Sequence, residues 1–457
     1  MWPYRIIHRW KTRWLLVLLL VTYFLLFVFH VSWSQQDNFG RSEARGTRET
    51  NSSHDDIDCD RLAQGVDEKW INEAELWIPN KESVSSVYPN ADRIDCQALH
   101  NLFDFPRHPL SESESIFPLS YGFHVYKNIY QVLSVLSAFY HPQNFYCIGV
   151  DGKSPKIFKN QVKLLEKCLP NITVIEFPKV KWCTIGTLKA LYGCFEYLTK
   201  ASHPWQYYQY ISNHDLPLKT NFEMVQLFKA LNGAIITEVT RRNKIEEKRF
   251  ELPLYKSSMS AVISREAANY AVTNARVKVL FKEISKARLP TCPDEVLWGT
   301  LFGNKKLFPA PGSFDLPSMR DALFKSIKGM KMKEPIVKLN DAKEEPFNLV
   351  SYYIPRYQVW AGSRRRCHVH SICLGKHVHT SCVYGIKDIP TLLARPELVA
   401  HKLYADYQPA AFYCLRKLVK ERAHHPDQRL FKGKVYSQLA HVRILNGDDP
   451  SDVQYFH

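Results

Sequence analysis

A chain of 457 residues with 45% hydrophobic residues is long enough to bury one large core or two modest ones. Its 23% charged and 13% aromatic residues exclude a collagenous or disordered chain. The formal charge of +16 favours anionic substrates, phosphates or membrane head groups. No zinc-finger spacing, basic heptad or aromatic Arg/Gly-rich stretch accompanies it, so nucleic acid is not an expected partner.

Residues 1–13 form a short basic tip carrying Arg5, Arg9, Lys11 and Arg13. Trp14 to Phe29 contains no charge, and the apolar run extends to Trp33 with His30 and Ser32 as its polar interruptions. A stretch of about 20 residues can cross a bilayer. Basic residues ahead of it predict a cytosolic N-terminus, a signal anchor over 14–33 and a luminal remainder, a single-pass type II arrangement. The competing reading is a cleaved signal peptide, but the run ends in VSWSQQ, without small residues at cleavage spacing. Residues 34–90 are mostly polar, with acids at Asp55, Asp56, Asp58 and Asp60, and are expected as a stem. Residues 91–457 are expected as the luminal domain.

All eleven cysteines lie beyond residue 58. In an oxidising compartment most should pair, and the odd count leaves at least one over. No CxxC occurs, which disfavours a zinc ribbon. Asn51 and Asn171 open N-x-Ser/Thr sequons and are candidate glycosylation sites.

From Ile116 the texture becomes that of an α/β domain. SYGFHVYKNIYQVLSVLSAFY reads as a strand followed by an amphipathic helix. The buried run Phe145 to Val150 ends at Asp151-Gly152, and a strand ending at an acidic turn is a usual place for a ligand in an α/β sheet. ITVIEF (172–177) is a further strand, IGTLKALYGCFEYL a helix, and YYQYIS (207–212) a strand followed by the loop from Asn213 to Pro217. The alternation predicts a doubly wound α/β fold. Residues 325–348, rich in Lys, Glu and Pro, are expected as an exposed insertion.

Four stretches then occur together: HPQNFYCIGVDGKSP, YYQYISNHDLPLKTNFEMVQLFKALNG, CPDEVLWGTLF, and CVYGIKDIPTLLARPELVAHKLY followed by Cys414-Leu415. In this order they resemble the core-2/I-branching β-1,6-N-acetylglucosaminyltransferase family, from about Ser120 to Leu415, with this chain a divergent member. The resemblance implies a GT-A-like, Rossmann-related luminal domain in the Golgi membrane. It implies inverting transfer of N-acetylglucosamine from UDP-N-acetylglucosamine to a glycan or glycoprotein acceptor, and it leaves a homodimer open.

Within Pro293-Asp294-Glu295, the resemblance makes Glu295 the catalytic base, because an inverting transfer needs one carboxylate to take the acceptor hydroxyl proton. Asp294 is then expected to cap the helix that holds Trp298. Glu238 and Arg249 match residues that hold acceptor hydroxyls; a lysine expected between them is Glu246 here, with Lys248 close by. Asp151 matches an acid near the nucleotide, although turn chemistry before Gly152 explains it equally. Asp215 is expected to be architectural, holding its loop through backbone hydrogen bonds.

The Asp-x-Asp matches, Asp56-Ile57-Asp58 and Asp58-Cys59-Asp60, fall in the expected stem, with no strand before them. The family uses basic side chains at the diphosphate, so no metal and no cofactor are expected. Lys402 matches the phosphate lysine, whereas the companion arginine is His379. Histidine lacks the guanidinium fork and is only partly charged near neutrality. Three readings stay open: His379 acts protonated, a neighbour from Arg364-Arg365-Arg366 or Lys376 substitutes, or activity is lost. A silent glycan-binding relative and a transferase using another donor such as UDP-xylose are the competitors. His368, His370, His377 and His379 could form a metal pair on a strand, but a solvated hairpin face explains them as well.

The resemblance also implies the disulfides Cys59–Cys414, Cys96–Cys168, Cys147–Cys194 and Cys373–Cys382. Cys183, Cys292 and Cys367 are left over. Cys292 lies close enough to Glu295 for a nucleophilic role, with a buried or paired thiol as the alternative.

Overall fold

The computed structural model describes residues 57–453, apart from 66–67, 80–81, 240–243, 246–251, 287–288, 290, 330–352, 362–372, 426–430 and 432. The tip, the expected anchor over 14–33, Asn51, Glu246, Lys248, Arg249, Arg364 to Arg366, Cys367, His368 and His370 lie outside the described residues. Among the described residues no helix is long and apolar enough to cross a membrane.

A mixed five-stranded sheet in the order β3-β2-β1-β4-β8 forms the centre. Its strands β1 (Leu119–Val125), β2 (Phe145–Asp151), β3 (Ile172–Phe177) and β4 (Tyr207–Ser212) run parallel, and their aromatic and β-branched residues suit a sheet packed on both faces. The short β8 (Val262–Ser264) adds antiparallel to β4, so the expected parallel fold has one reversed edge. Period-two alternation divides the side chains between two cores. Tyr207 and Ile211 enter the larger one, while Tyr208 and Tyr210 enter the other with Trp298 and Phe302.

Six helices frame the sheet and the site: α1 (Cys59–Gln64), α2 (Ile129–Phe139), α3 (Ile185–Lys200), α4 (Asn221–Leu231), α5 (Leu297–Phe302) and α6 (Pro409–His424). Several starts have a local cause. Asn128 and Thr184 accept backbone N–H bonds ahead of α2 and α3, and Thr220 with Glu223 forms a capping box on α4. Among the described residues, two-stranded ribbons complete the strands. Strand β5 (Asp215–Pro217) pairs with β11 (Val399–His401), β6 (Lys244–Ile245) with β7 (Leu254–Tyr255), and β9 (Lys376–Val378) with β10 (Ser381–Val383).

The compact unit begins at Ile57, well before the expected domain start at residue 91. Ile57, Cys59, Leu62, Ala74 and Val87 are buried in the main core. Cys59–Cys414 bonds α1 to α6, which explains why so polar a segment packs rather than extends. Cys96–Cys168, Cys147–Cys194 and Cys373–Cys382 are also formed. A fifth bond, Cys183–Cys292, takes two of the cysteines left over in the sequence and excludes a free nucleophilic thiol at Cys292. The start of the expected insertion is helical, since a helix runs over Leu316–Gly329.

Candidate active site

The order of the strands sets the place. β2 lies on one side of β1 and β4 on the other, so the crevice outside the carboxyl ends of β1 and β4 is the switch point where open α/β sheets bind ligands. Gln131 of α2 holds this crevice together, because its amide donates to Asn213 O at 2.6 Å and accepts from Ala405 N at 3.1 Å. Rings gather there: His214 lies edge-on to Tyr404 at 4.6 Å and to Tyr126 at 5.9 Å. Burial, with His401, Lys127 and Lys402 nearby, pushes the His214 imidazole down to about 3, so it is neutral.

Asp215 anchors the crevice. Arg356 donates to its Oδ2 at 2.7 Å, Ser212 N donates to Oδ2 at 2.6 Å, and His401 Nδ1 meets Oδ1 at 2.7 Å. Burial alone would raise this carboxyl, but Arg356, His401 and the Ser212 amide outweigh it and hold Asp215 at about 2. The expected architectural role of Asp215 is therefore met, although its partners are side chains as much as backbone. Through the pairing of β5 with β11, Asp215 fixes His401 and the adjacent Lys402.

The Lys402 side chain is largely buried, and Nζ donates to Val378 O at 3.0 Å. Burial lowers its pKa. Val378 precedes His379, which with Thr380 makes the exposed turn between β9 and β10 at φ of 50° and 65°. The structure thus brings Lys402 to the hairpin that carries His379, and Cys373–Cys382 crosslinks that hairpin. Lys376 of the same hairpin lies over the Tyr407 ring at 4.0 Å. His377 and His379 are both exposed, as a solvated hairpin face requires.

Glu295 closes a one-turn 3-10 segment, Pro293–Glu295. The neighbouring chain stitches this turn in place. Ser257 N donates to Glu295 O at 2.7 Å, Gly299 N to Ser257 Oγ at 2.8 Å, Tyr255 N to Thr300 Oγ1 at 2.8 Å, and Trp298 Nε1 to Met259 O at 3.0 Å. Gly299 is required by this approach, since a Cβ there would sit 2.9 Å from the Ser257 side chain. Cys183–Cys292 bonds the residue before the turn to the loop that leads into α3.

Two donors converge on one oxygen of the base. Lys256 Nζ donates to Glu295 Oε2 at 2.9 Å, and Thr291 Oγ1 donates to the same atom. Among the described residues Oε1 accepts no hydrogen bond. Glu238 shares this environment. Burial pushes its carboxyl up to about 7; Lys256 opposes that shift, and the negative charge of Glu295 adds to it. Arg249, the expected companion of Glu238, lies outside the described residues.

Asp294 does not cap the helix as expected. The N-cap of α5 is Val296, with no side-chain cap bond, and the Asp294 carboxyl is buried with Oδ1 unpartnered among the described residues. Burial, reinforced by Glu295, pushes it up to about 6. Tyr210 of β4 lies within electrostatic reach of Arg356, Asp215 and Asp294.

Asp151 lies at the carboxyl end of β2. Its Oδ1 accepts from Lys153 N at 2.9 Å and Val180 N at 3.1 Å, so it ties the turn after β2 to the loop after β3. Asn171 is hydrogen-bonded to backbone as well. Its amide nitrogen donates to His141 O, Pro142 O and Asn144 O at 3.0, 3.3 and 2.9 Å, leaving the atom that would carry a glycan fully engaged. A cleft of about 530 Å³ lined by Lys305, Asp315, Asp321, Lys325 and Asp449 contains none of the residues expected from the sequence. Lys256 and Arg356 lie outside the quoted motifs, and the stretch that contains His401 gives no sign of its partner. Only the fold reveals them, because their partners are 39, 141 and 186 residues away.

The chain is similar in sequence to known proteins. Residues 119–311 match the sequence model described as "Branch: Core-2/I-Branching enzyme". The human "Beta-1,3-galactosyl-O-glycosyl-glycoprotein beta-1,6-N-acetylglucosaminyltransferase 3" is 26% identical over 398 residues, 80% of this chain and 83% of that protein. The human protein of the same name without the numeral is 26% identical over 404 residues, 80% and 86% of the two chains. A Danio rerio relative, numbered 4 in that series, is 26% identical over 344 residues, 68% of this chain and 72% of its own.

Proposed function

From the premise that the chain carries a Core-2/I-branching enzyme domain and is a glycosyltransferase, we propose that it transfers N-acetylglucosamine from UDP-N-acetylglucosamine to a hydroxyl of a glycan acceptor, with inversion and in β-1,6 linkage. The observation that carries this reading is Glu295. Its Oε2 is held by two donors while Oε1 is left open among the described residues. A general base needs this arrangement: one oxygen fixed, the other within reach of the proton it removes.

Glu295 Oε1 takes the acceptor hydroxyl proton as that oxygen forms its bond to the anomeric carbon. The bond from that carbon to the UDP β-phosphate oxygen breaks on the opposite face. Lys402, placed by the Asp215, His401 and Arg356 network, supplies positive charge to the departing diphosphate together with the hairpin that bears His379. None of these steps needs a metal. Glu238 meets the acceptor on the side of the base. The five disulfides fit an oxidising secretory compartment, and the apolar run 14–33 would hold the domain on the luminal side of the Golgi membrane.

The test is turnover of UDP-N-acetylglucosamine by the protein against a panel of glycan acceptors, with and without EDTA, beside Glu295→Gln and His379→Arg. Transfer that survives EDTA and is lost in Glu295→Gln is the expected result. No transfer by the parent but transfer by His379→Arg would identify a decayed donor site. Silence from both, with no UDP binding by calorimetry, would leave the silent glycan-binding reading.

A further inference from the structure

Lys256 takes no proton and binds no phosphate in the proposed transfer, yet it is the charged group in direct contact with the proposed base. We propose that Lys256 is a positioning residue of the transfer reaction: its ammonium fixes Glu295 Oε2 so that Oε1 faces the acceptor hydroxyl. This inference rests on the assignment of Glu295 as base.

The geometry carries it. Lys256 lies between Tyr255, whose N–H is held by Thr300 at 2.8 Å, and Ser257, whose N–H is held by the Glu295 carbonyl at 2.7 Å. The backbone on both sides of the lysine is therefore bonded to the segment that bears the base. The side chain then closes the ring with its 2.9 Å ion pair. Both partners keep about a third of their side-chain surface exposed, 36% for Lys256 and 30% for Glu295, so the pair lies where a substrate can reach it. A surface ion pair of this exposure adds little to stability. Here the backbone fixes the lysine in advance, so orientation of the carboxylate is what the pair provides.

Charge balance points the same way. Lys256 contacts Glu295 directly, and Glu238 lies within electrostatic reach of both. Without the ammonium, Glu295 would lose the cation that contacts its Oε2 beside a hydroxyl that must give up a proton to it. Once Glu295 is protonated during transfer, Lys256 keeps Oε2 as its acceptor, and the new proton stays on Oε1.

The experiment compares the parent with Lys256→Met, Lys256→Arg and Glu295→Gln. It measures kcat and acceptor KM in the same transfer assay, with UDP affinity and melting temperature alongside. We expect Lys256→Met to lower kcat by about tenfold or more, with acceptor KM changed by less than about threefold, since a residue that orients the base acts mainly in the transition state. UDP affinity and melting temperature should match the parent, and Lys256→Arg should recover much of kcat. A Lys256→Met variant with parent kcat or higher, in an assay where Glu295→Gln is inactive, would overturn the inference and leave the base assignment standing. A loss of kcat matched by loss of UDP affinity or melting temperature, and not recovered by Lys256→Arg, would overturn it in favour of a structural role. A parent that transfers nothing would remove the proposed function, and this inference with it.

Discussion

Glu238 gives a prediction whose size follows from its surroundings. Its carboxyl is raised from 4.5 to about 7, first by burial and then by the negative charge of Glu295, against the pull of Lys256. Below 4.5 both folded and unfolded chains hold the proton, so the site costs nothing there. As pH rises towards 7 the unfolded chain ionises first, and the folded state loses relative stability. Above 7 the loss is complete and amounts to about 3 kcal/mol at most, or about 2 after allowing for the solvent that reaches this partly open site. Glu238→Gln cannot ionise and escapes the loss. For a unit of about 400 residues the unfolding entropy is about 0.8 kcal/mol per degree, so the variant should melt about 3 °C above the parent at pH 8. At pH 5 the two should melt within about 1 °C of each other. Differential scanning calorimetry at the two pH values reads this directly. The same offset at both, or a lower melting temperature for the variant at pH 8, would refute the burial of Glu238 against Glu295.

The same carboxyl is protonated below pH 7 and can then donate a hydrogen bond to the acceptor. Acceptor KM should therefore rise as pH passes about 7, and Glu238→Gln should flatten that rise in initial-rate measurements. Asp215→Asn leaves Arg356 buried without its counter-ion; it should cost about 3–5 kcal/mol in urea unfolding and weaken UDP binding through Lys402. Unaltered stability and UDP affinity would count against the anchoring role. Removing the Cys183–Cys292 bond by paired Ser substitutions should lower stability by up to about 4 kcal/mol and reduce kcat more than UDP affinity, since it holds the turn of the base. Peptide mass spectrometry should find Asn171 without glycan, and an occupied site would contradict the hydrogen bonds of its amide.

The parallel strands were legible because they are nearly continuous aromatic and β-branched runs closed by turn residues, as in FYCIGVD and YYQYIS. Glu295 and Lys402 were picked out as candidates because they fall in the contiguous stretches CPDEVLWGTLF and CVYGIKDIPTLLARPELVAHKLY that carry the resemblance. The four disulfides implied by resemblance are formed, whereas Cys183–Cys292 joins residues 109 apart with no local signal. The packing of residues 57–90 was hidden for a similar reason, since a polar sequence reads as a stem until a crosslink such as Cys59–Cys414 draws it onto the core. Asp294 misled because acids favour helix starts, yet here burial wins and the carboxyl is pushed up instead of capping. Asp151 and Asn171 matched patterns that also serve turns, and both also hydrogen-bond backbone groups in the structure. Lys256 was invisible because its importance comes only from facing Glu295 across 39 residues of chain.

If Glu295 is the base of an inverting transfer, the most direct test is the kcat of Glu295→Gln relative to the parent at matched UDP affinity. Glutamine keeps the size of the side chain but cannot take the acceptor proton. The expected result is a fall of about 10²–10⁴-fold in kcat, with UDP affinity unchanged. A Glu295→Gln variant that transfers sugar at the parent rate would contradict the assignment.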